Sequence, residues 1–390
     1  MNPTGEKINT TDYIEAPPAP KRTRMQEFRR MLAQNRLAAL GFFIFFLFFC
    51  CAVTGLVLTS GSKPVFDPSM VRLEEKLRPP MSKPNLETLR PDQAPVLNVY
   101  LMGTDDLGRD VFSRMLQGAW VSLTVGFVAV GISVLIGIFM GGIAGYFGQH
   151  HIKTIHALFF LCLVGGTGLM IANFTVIGTV ILLLCLVYIF YSLTARHGST
   201  KKETPALKAI LHSNAVSIDT LIMRIVDIML CFPSFFLILT VVALLPASIY
   251  NIMIVIGLTS WMGTTRFVRA EFLSLREQDF VAAAKALGLS NFRIIFRHIM
   301  PNAIAPVLVS ATIGIASAIL TEAGLSFLGF GVPPPHATWG NILSNGKNFI
   351  FDAPWLTFIP GIAILIVVLS FNLFGEGLRD ILNPKLKERH

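Results

Sequence analysis

The feature that most constrains this chain is a series of long apolar stretches that are almost free of charged side chains. A hydrocarbon core about 30 Å thick is crossed by about 20 residues of α-helix, so stretches of this length predict membrane-spanning helices. Eight windows meet this requirement, at 37–58, 118–142, 155–173, 175–195, 221–245, 249–265, 302–324 and 356–378. The sequence therefore predicts an all-α polytopic membrane protein.

Composition excludes most soluble classes. Charged residues make up only 14% of the 390 residues and hydrophobic residues 53%, whereas soluble chains carry about 25% charged residues. The five cysteines lie in apolar stretches, which favours buried or lipid-facing thiols over disulfides or metal ligands. His150, His151 and His156 lie close together without a carboxylate or thiolate, so solvated histidines are favoured over a metal site.

The basic residues are distributed unevenly between the two predicted sides of the membrane. If the N-terminus is inside, the inner segments hold 23 of the 32 Lys and Arg residues, while the outer segments hold nine basic and nine acidic residues. Because short cytoplasmic segments collect Lys and Arg, both termini are predicted to be cytoplasmic. The first window is interpreted as an uncleaved anchor, since it is too long for a signal peptide and lacks a convincing small-residue cleavage site.

The windows divide the chain into segments with different compositions. The proline-rich stretch after the first window cannot form a long helix. The predicted segments are a basic cytoplasmic segment 1–36, an anchor 37–58, an irregular external loop 59–117, a second span 118–149, a hydrophobic hairpin with a basic cytoplasmic loop 150–214, the remaining spans with a cytoplasmic loop 266–301 in 215–378, and a cytoplasmic tail 379–390.

The loop 266–301 carries the most informative pattern in the chain. Its apolar residues recur at helical spacing and its charged residues occupy other faces, which predicts an amphipathic helix pair. Gly288 is expected to break this pair, and a short basic-aromatic helix, 291–298, is expected to end at Met300-Pro301. Two interpretations stay open: an interfacial helix held by anionic headgroups, or a docking helix for another protein.

Motifs for catalysis are absent from the sequence. The Gly346-Lys347 pair is followed by Asn348 and has no glycine at the offset of a phosphate-binding loop, so no ATPase site of its own is predicted. A membrane enzyme would need a catalytic set that spacing does not provide. A self-sufficient secondary transporter would show repeated halves and interrupted short spans, and neither is clear.

Three separated motifs resemble those of ATP-binding-cassette (ABC) importer permeases. Residues 279–288 followed by 297–302 resemble the EAA loop, E-A-A-x3-G-x9-I-x-L-P, with Ala282, His298 and Met300 departing from it in the manner of the peptide-importer branch. Residues 101–114 resemble the L-G-T-D-x-L-G-R-D segment of the C-type subunit, and 322–341 resemble its segment after the fifth span.

With residues 371–380, the likeness to the C-type permease subunit of dipeptide and oligopeptide importers covers about 24–58, 98–149 and 215–385. It implies a type I importer fold with a six-helix core, to which 150–214 adds an inserted transmembrane hairpin, giving about eight spans. The hairpin is interpreted as lipid-facing or partner-stabilising.

The resemblance also implies partners and cargo. It implies a second, B-type permease subunit, two ATP-binding subunits that hold ATP and Mg, and an external solute-binding protein, all at the inner membrane and without nucleic acid. The cargo would be dipeptides or oligopeptides, with nickel or another small solute as the alternative.

Site residues follow from the same resemblance. A coupling helix at about 270–298 would contact the ATPases through the residues Glu271, Asp279, Ala282, Ala283, Ala284, Gly288, Arg293 and Pro301. Contact with the external protein is expected for Asp105, Asp106, Arg109 and Asp110, with Arg114 as a further candidate. The alternative for this second set is a helix N-cap at Thr104 or Asp105 followed by solvated charges.

Ionisable groups in or near the predicted spans are costly in lipid and should face protein or water. For Glu322, Asp227 and Arg224, pairing within a helix or between subunits is favoured over substrate binding. The Phe-rich stretch 42–49 is expected to face lipid.

Overall fold

The computed structural model describes residues 35–148 (except 62, 63, 88, 91 and 92), 151–153, 179, 183 and 214–382. Its α-helices are α1 (Arg36–Thr59), α2 (Val111–Phe147), α3 (Ile218–Cys231), α4 (Ser234–Leu244), α5 (Ile249–Arg276), α6 (Asp279–Ala286), α7 (Asn291–Arg293), α8 (Met300–Phe327), α9 (Trp339–Gly346) and α10 (Trp355–Leu382). The remaining elements are 3₁₀ turns at Leu73–Glu75 and Lys347–Phe349, a π-helical segment at Ile294–Ile299, and strands β1 (His151–Lys153) and β2 (Asn214–Ser217).

Within the described residues, four helices are long and apolar enough to cross a bilayer. They are Arg36–Thr59, Val111–Phe147, Pro306–Phe327 and Trp355–Arg379, which overlap four of the predicted windows. Helix α5 contains the window 249–265 but is not among the four, since it also contains Asn251 and, directly after the window, Arg266 and Arg269. The windows 155–173 and 175–195 lie almost wholly outside the described residues.

The predicted window 221–245 is a broken helix rather than one straight span. Helix α3 ends at Cys231 and α4 begins at Ser234, with a bend of 80° between them. Pro233 has no backbone N–H and disfavours helical geometry at the residue before it, and Phe232 is extended, with φ −87° and ψ 131°. Counted together as one broken span, the pair makes a fifth candidate.

Helix α2 begins at Val111 rather than at 118. The Asp110 carboxylate caps it by accepting hydrogen bonds from the backbone N–H groups of Phe112 (3.3 Å) and Ser113 (3.2 Å). The predicted N-cap at Thr104 or Asp105 is therefore wrong. Those residues belong to the turn that leads into the helix.

A line of glycines brings α2 and α5 together. Gly137, Gly141 and Gly145 recur every four residues on α2, so they share one face of the helix. A Cβ atom placed on Gly137 would lie 2.5 Å from the Thr264 side chain, and one on Gly145 would lie 2.5 Å from Cβ of Phe272. Small residues at this spacing allow the two backbones to approach closely.

A two-stranded ribbon closes the base of the predicted insertion. Strands β1 and β2 are antiparallel, with His151 opposite Ser217 and Lys153 opposite Asn214. The chain that leaves at the end of α2 therefore returns to the same place, where Gly148 lies against Asp219 at the start of α3. This geometry fits an insert that returns to the side of the membrane it left.

The Phe-rich stretch 42–49 has two faces, and only one is exposed. Phe45 packs on Phe371 with ring centroids 5.1 Å apart, and Phe48 packs on Trp339 at 5.8 Å. Phe43 and Phe46 on the other face are exposed. The expectation that the whole stretch faces lipid is therefore wrong for the inward side, because helical periodicity turns every third or fourth ring toward α10 and α9.

Candidate functional site

The loop predicted to couple to a partner folds into a compact turn between α5 and α8, here called the elbow (residues 277–299). Helix α6 ends in a Schellman motif. The N–H of Gly288 donates to the Lys285 carbonyl (2.9 Å), and the N–H of Leu289 donates to the Ala284 carbonyl (3.2 Å). Gly288 has φ +73°, a conformation that L-residues with side chains resist. The predicted helix break at Gly288 is confirmed.

The second part of the elbow differs from the prediction. Residues 291–298 do not form a separate helix that ends at Met300-Pro301, because the backbone stays helical from α7 through the π-helical segment into α8. The π turn widens the helix just before Pro301, whose ring would clash with the preceding turn of a regular α-helix. The elbow is therefore continuous with α8.

One face of the elbow is packed against the bundle. Val281, Ile294 and Ile299 are fully buried, and they lie with Phe272 of α5 in one apolar cluster. Ala284 belongs to the same cluster and is 3% exposed. Ala284 is thus a packing residue, and the expectation that it sets close approach of a partner is wrong for this conformation.

The opposite face of the elbow is exposed and apolar. Leu287 is 79% exposed, Phe292 72% and Phe296 53%. The two rings lie 4.5 Å apart, and Arg293 and Arg297 border the same open groove of about 510 Å³. Of the residues predicted to couple, Glu271 is half-buried, and the exposed ones are Asp279, Ala282, Ala283, Gly288, Arg293 and Pro301.

Polar contacts tie the elbow to the end of α2. The Tyr146 hydroxyl donates to Oδ1 of Asn291 at 2.8 Å. Just before the elbow, the guanidinium of Arg276, the last residue of α5, donates to the carbonyls of Gly145 (3.3 Å) and Tyr146 (3.4 Å), which are acceptors at a helix C-terminus. Lys285 lies over the Tyr146 ring, 5.9 Å from its centre. The elbow therefore contacts α2, α5 and α8 at once.

Two ion pairs join α3 to α5 beside the elbow. Arg269 forms a bidentate pair with Asp219, and this hydrogen bonding raises the pKa of the guanidinium. Arg266 donates to Asp227 at 2.6 Å, and Arg224 lies 3.8 Å from the same carboxylate. Asp227 is paired between helices as well as within its own, in keeping with the expectation that it is paired.

At the other end of the bundle, Asp105 organises the segment here called the outer loop (residues 72–110). Its carboxylate accepts from the backbone N–H groups of Leu107 (3.0 Å) and Arg109 (2.9 Å), from Nε of Arg109 (2.7 Å), and from the Arg114 guanidinium. Arg114 also donates to Asn341 of α9 at 3.4 Å. Asp105 is 1% exposed and Arg114 4%, so the interpretation as solvated charges is wrong for these two.

The four residues predicted to contact an external protein differ in accessibility. Asp105 and Asp110 are buried, whereas the side chains of Asp106 and Arg109 are 35% and 15% exposed. Burial raises the pKa of Asp110, and hydrogen bonds from Ser113 oppose this effect. Asp106 and Arg109 also border an open cavity of about 450 Å³. A partner can reach these two, and their role in contact stays a prediction.

Sequence patterns gave no signal for several residues that hold the outer loop in place. Glu75 is fully buried and accepts from Arg78 (3.1 Å) and from the backbone of Asn85 (3.0 Å). The Trp355 indole donates to the Thr104 carbonyl at 3.2 Å and so joins the loop to α10. Trp355 and Thr104 are far apart in sequence, and Asn85 is ten residues from Glu75, so no local spacing marks these two contacts.

Glu322 is a buried polar centre near the outer end of α8. Its carboxylate accepts from Ser326 one turn later (2.7 Å) and lies 3.5 Å from the Ser122 hydroxyl of α2. The Ser122 hydroxyl in turn accepts from the backbone N–H of Trp339 at 3.3 Å. The expected pairing within the helix is present, and the contact also links α8 to α2 and α9.

Comparison with known proteins places the chain in a family. Residues 209–388 match the family described as "Binding-protein-dependent transport system inner membrane component". The dipeptide transport system permease protein DppC of Alkalihalophilus pseudofirmus is 35% identical over 383 residues, covering 97% of each chain. DppC of Haemophilus influenzae is 32% identical over 95% of this chain and 97% of its own, and the oligopeptide permease protein OppC of Bacillus subtilis is 32% identical over 74% and 73%. This chain belongs to that family of transport-system inner membrane components.

The alignments cover both the elbow and the outer loop. In this inner membrane component, the matched residues 209–388 include the elbow and every helix from α3 to α10. The outer loop lies before that range but within the alignment to the A. pseudofirmus protein. Among solved structures, the MetNI methionine ABC transporter in inward-facing conformations has a TM-score of 0.38 at 14% identity, covering 67% of this chain and 95% of its own.

Proposed function

We propose that this chain is a permease subunit of an ATP-driven importer that carries dipeptides or oligopeptides into the cytoplasm. The relatives that cover nearly the whole chain are named as dipeptide permeases, and a relative that covers three quarters of it is named as an oligopeptide permease. None of these names supports nickel, and the family of transport-system components argues against a solitary secondary transporter.

The observation that carries the proposal is the exposed face of the elbow. An apolar surface that includes Leu287, Phe292 and Phe296 is unfavourable in water, and exposed patches of this kind mark protein interfaces. The inside-positive charge distribution supports a cytoplasmic position for the elbow. Since the sequence offers no phosphate-binding loop, a separate ATP-binding subunit that holds ATP and Mg is the proposed occupant.

Movement of the elbow would pass to the spans through covalent and polar links. The elbow runs directly from the end of α5 into α8, Tyr146 of α2 bonds to Asn291 of the elbow, and Arg276 at the end of α5 bonds to the α2 backbone. Closure of two ATPases would displace the elbow, and α2, α5 and α8 would move with it. The chain thus acts as a lever and performs no chemistry itself.

The remaining partners follow from the same arrangement. A second permease would enclose the pathway with α1, α2, the broken pair α3–α4, α5, α8 and α10, which we take as the six-span core. A solute-binding protein would contact the outer face at Asp106 and Arg109. The insertion 150–214 and cytoplasmic termini complete the proposed topology.

The test is transport by the reconstituted complex. The chain is co-expressed with the proposed second permease and ATPases, and proteoliposomes loaded with ATP receive binding protein and labelled dipeptide or tripeptide. We expect uptake that requires ATP and the binding protein. Uptake by the purified chain alone, or uptake of nickel and no peptide, would contradict the proposal.

A further inference from the structure

A small cavity lies halfway along the bundle, between α2, α5 and α8. It has a volume of about 230 Å³ and is lined by small and hydroxyl residues, including Ser133, Ser260, Gly263, Thr264, Ser310 and Ser317. None of its lining residues is charged. Ser260, Gly263 and Ser317 are exposed, so the cavity is a groove that opens to the outside of this chain.

Several hydroxyls of this groove have no partner. Ser133 is 4% exposed and Thr264 7%, yet within the described part of the chain neither hydroxyl makes a hydrogen bond, and the same holds for Ser310 and Ser317. Among the described residues, the buried hydroxyls of Thr265 and Thr357 also lack a partner, but many others in the spanning helices donate to their own backbone. Examples are Thr54, Thr59, Thr240 and Thr312, each of which donates to a carbonyl three or four residues earlier.

Hydroxyls without a hydrogen bond in the middle of a bilayer are stabilised by a polar partner. A hydroxyl that faces hydrocarbon without a hydrogen bond is costly, and burial of Ser133 and Thr264 keeps lipid away from both. The partner must be uncharged where it touches the groove, since no lining residue offers a counter-charge. Amide N–H and C=O groups fit, because each hydroxyl can both donate and accept.

On the basis of the proposed function, we propose that this groove holds the backbone of a peptide in transit, with its free hydroxyls bonded to the amide groups of the cargo. Contact with the backbone would allow one groove to accept peptides that differ in their side chains. The open side of the groove, at Gly263 and Ser317, would then face the peptide, and the second permease would form the far wall.

Two glycines provide a matched test. A Cβ atom on Gly263 or on Gly131 would meet no atom within 4 Å, so either site accepts a side chain without a clash. Gly263 lines the groove, whereas Gly131 is exposed on α2 about half a helical turn away from the groove residues Ala129, Val130 and Ser133. Replacing a mid-helix glycine by leucine also favours the helix in both cases.

The experiment measures ATP-dependent tripeptide uptake, ATP hydrolysis and co-purification of the second permease for wild type, Gly263→Leu and Gly131→Leu. We expect Gly263→Leu to lower uptake at least tenfold, with hydrolysis and co-purification within twofold of wild type. Gly131→Leu should stay within twofold throughout. Normal uptake by Gly263→Leu would overturn the inference, and so would loss of the second permease from Gly263→Leu alone, because the partner would then fill the groove.

A second pair of variants tests the hydroxyls themselves. Thr264→Val keeps the methyl group that packs near Gly137 and removes the hydroxyl, and Thr264→Ser keeps the hydroxyl. Loss of one hydrogen bond should raise the KM for peptide about fivefold in Thr264→Val, and Thr264→Ser should restore it. An unchanged KM in Thr264→Val would count against the inference. If wild type imports no peptide, the proposed function fails instead, so the two failures are distinguishable.

Discussion

The elbow and the outer loop are both irregular connections between long helices, but they differ in which side chains they bury and which they expose. The outer loop buries some of its charges: Asp105 and Glu75 are at most 1% exposed, and they pair with Arg114 at the start of α2 and with Arg78 respectively. The elbow exposes large apolar residues on one face, with Leu287 and Phe292 more than 70% exposed. The outer loop also exposes apolar side chains, among them Leu73, Met81 and Leu86, so the difference between the two regions lies in the buried ion pairs of the outer loop and the clustered Phe292 and Phe296 rings of the elbow.

The largest expected effect concerns the buried ion pair between Asp105 of the outer loop and Arg114. Asp105→Ala leaves Arg114 buried and without its counter-charge, which should destabilise the protein by about 3–5 kcal/mol. Asp106→Ala, at a more exposed neighbour, should change stability by less than about 0.5 kcal/mol. Thermal unfolding in detergent, followed by tryptophan fluorescence, measures both. Equal effects for the two variants would show that burial in this loop does not distinguish them.

The next effect concerns the exposed apolar face of the elbow. Leu287→Ala combined with Phe292→Ala should weaken ATPase binding by about 2–4 kcal/mol, or roughly thirtyfold to a thousandfold, because exposed apolar anchors dominate interfaces. Phe351→Ala provides the control, since Phe351 is 96% exposed but lies at the outer end. Titration of detergent-solubilised permease with purified ATPase gives the dissociation constants. Wild-type affinity for the ATPase in the double variant, or an equal loss of affinity in Phe351→Ala, would show that the elbow is not the ATPase-binding surface.

A smaller effect is expected where the backbone of the elbow reverses. Gly288→Val forces a β-branched residue to φ +73° at a cost of about 1–2 kcal/mol, although open space surrounds the site. Asn tolerates this conformation better, so Gly288→Asn should be milder. We expect Gly288→Val to lower the number of peptides imported per ATP hydrolysed, with insertion into the membrane unchanged. Wild-type coupling in Gly288→Val would argue that the turn does not transmit force.

The smallest effect returns to the outer loop at the start of α2. Asp110→Ala removes the N-cap and should destabilise the protein by about 1 kcal/mol, whereas Asp110→Asn keeps an acceptor and should change stability by only a few tenths. The same thermal unfolding assay separates these variants. A larger loss in Asp110→Asn than in Asp110→Ala would mean that the charge, rather than the cap, matters here.

Much of this architecture follows from local sequence. Charge-free windows located four long helices because the thickness of the bilayer fixes their length, and Gly288 marked a turn because positive φ favours glycine. Pro233 is itself a signal for a helix break, but it lies inside a continuous apolar window, which predicted a single straight span. The start of α2 was placed too late because Arg114 interrupts the apolar window, although Asp110 is a standard capping residue.

Other features depend on tertiary contacts that spacing does not encode. Ala283 and Ala284 are neighbours of the same type, and only the packing of α6 on Phe272 decides that Ala284 is buried and Ala283 exposed. The pairing of Asp105 with Arg114 has no helical or strand periodicity. By contrast, the repeat of Gly137, Gly141 and Gly145 is a legible signal for close helix packing, and it was available in the sequence.

The most direct test of the account is photo-crosslinking in the assembled transporter. A photoreactive amino acid is placed at Leu287 on the elbow and, in a second variant, at Phe351 on the outer side. The account predicts that Leu287 crosslinks to an ATP-binding subunit and that Phe351 does not. Capture of lipid alone at Leu287, or capture of the external solute-binding protein there, would contradict the claim that the elbow receives work from a cytoplasmic ATPase.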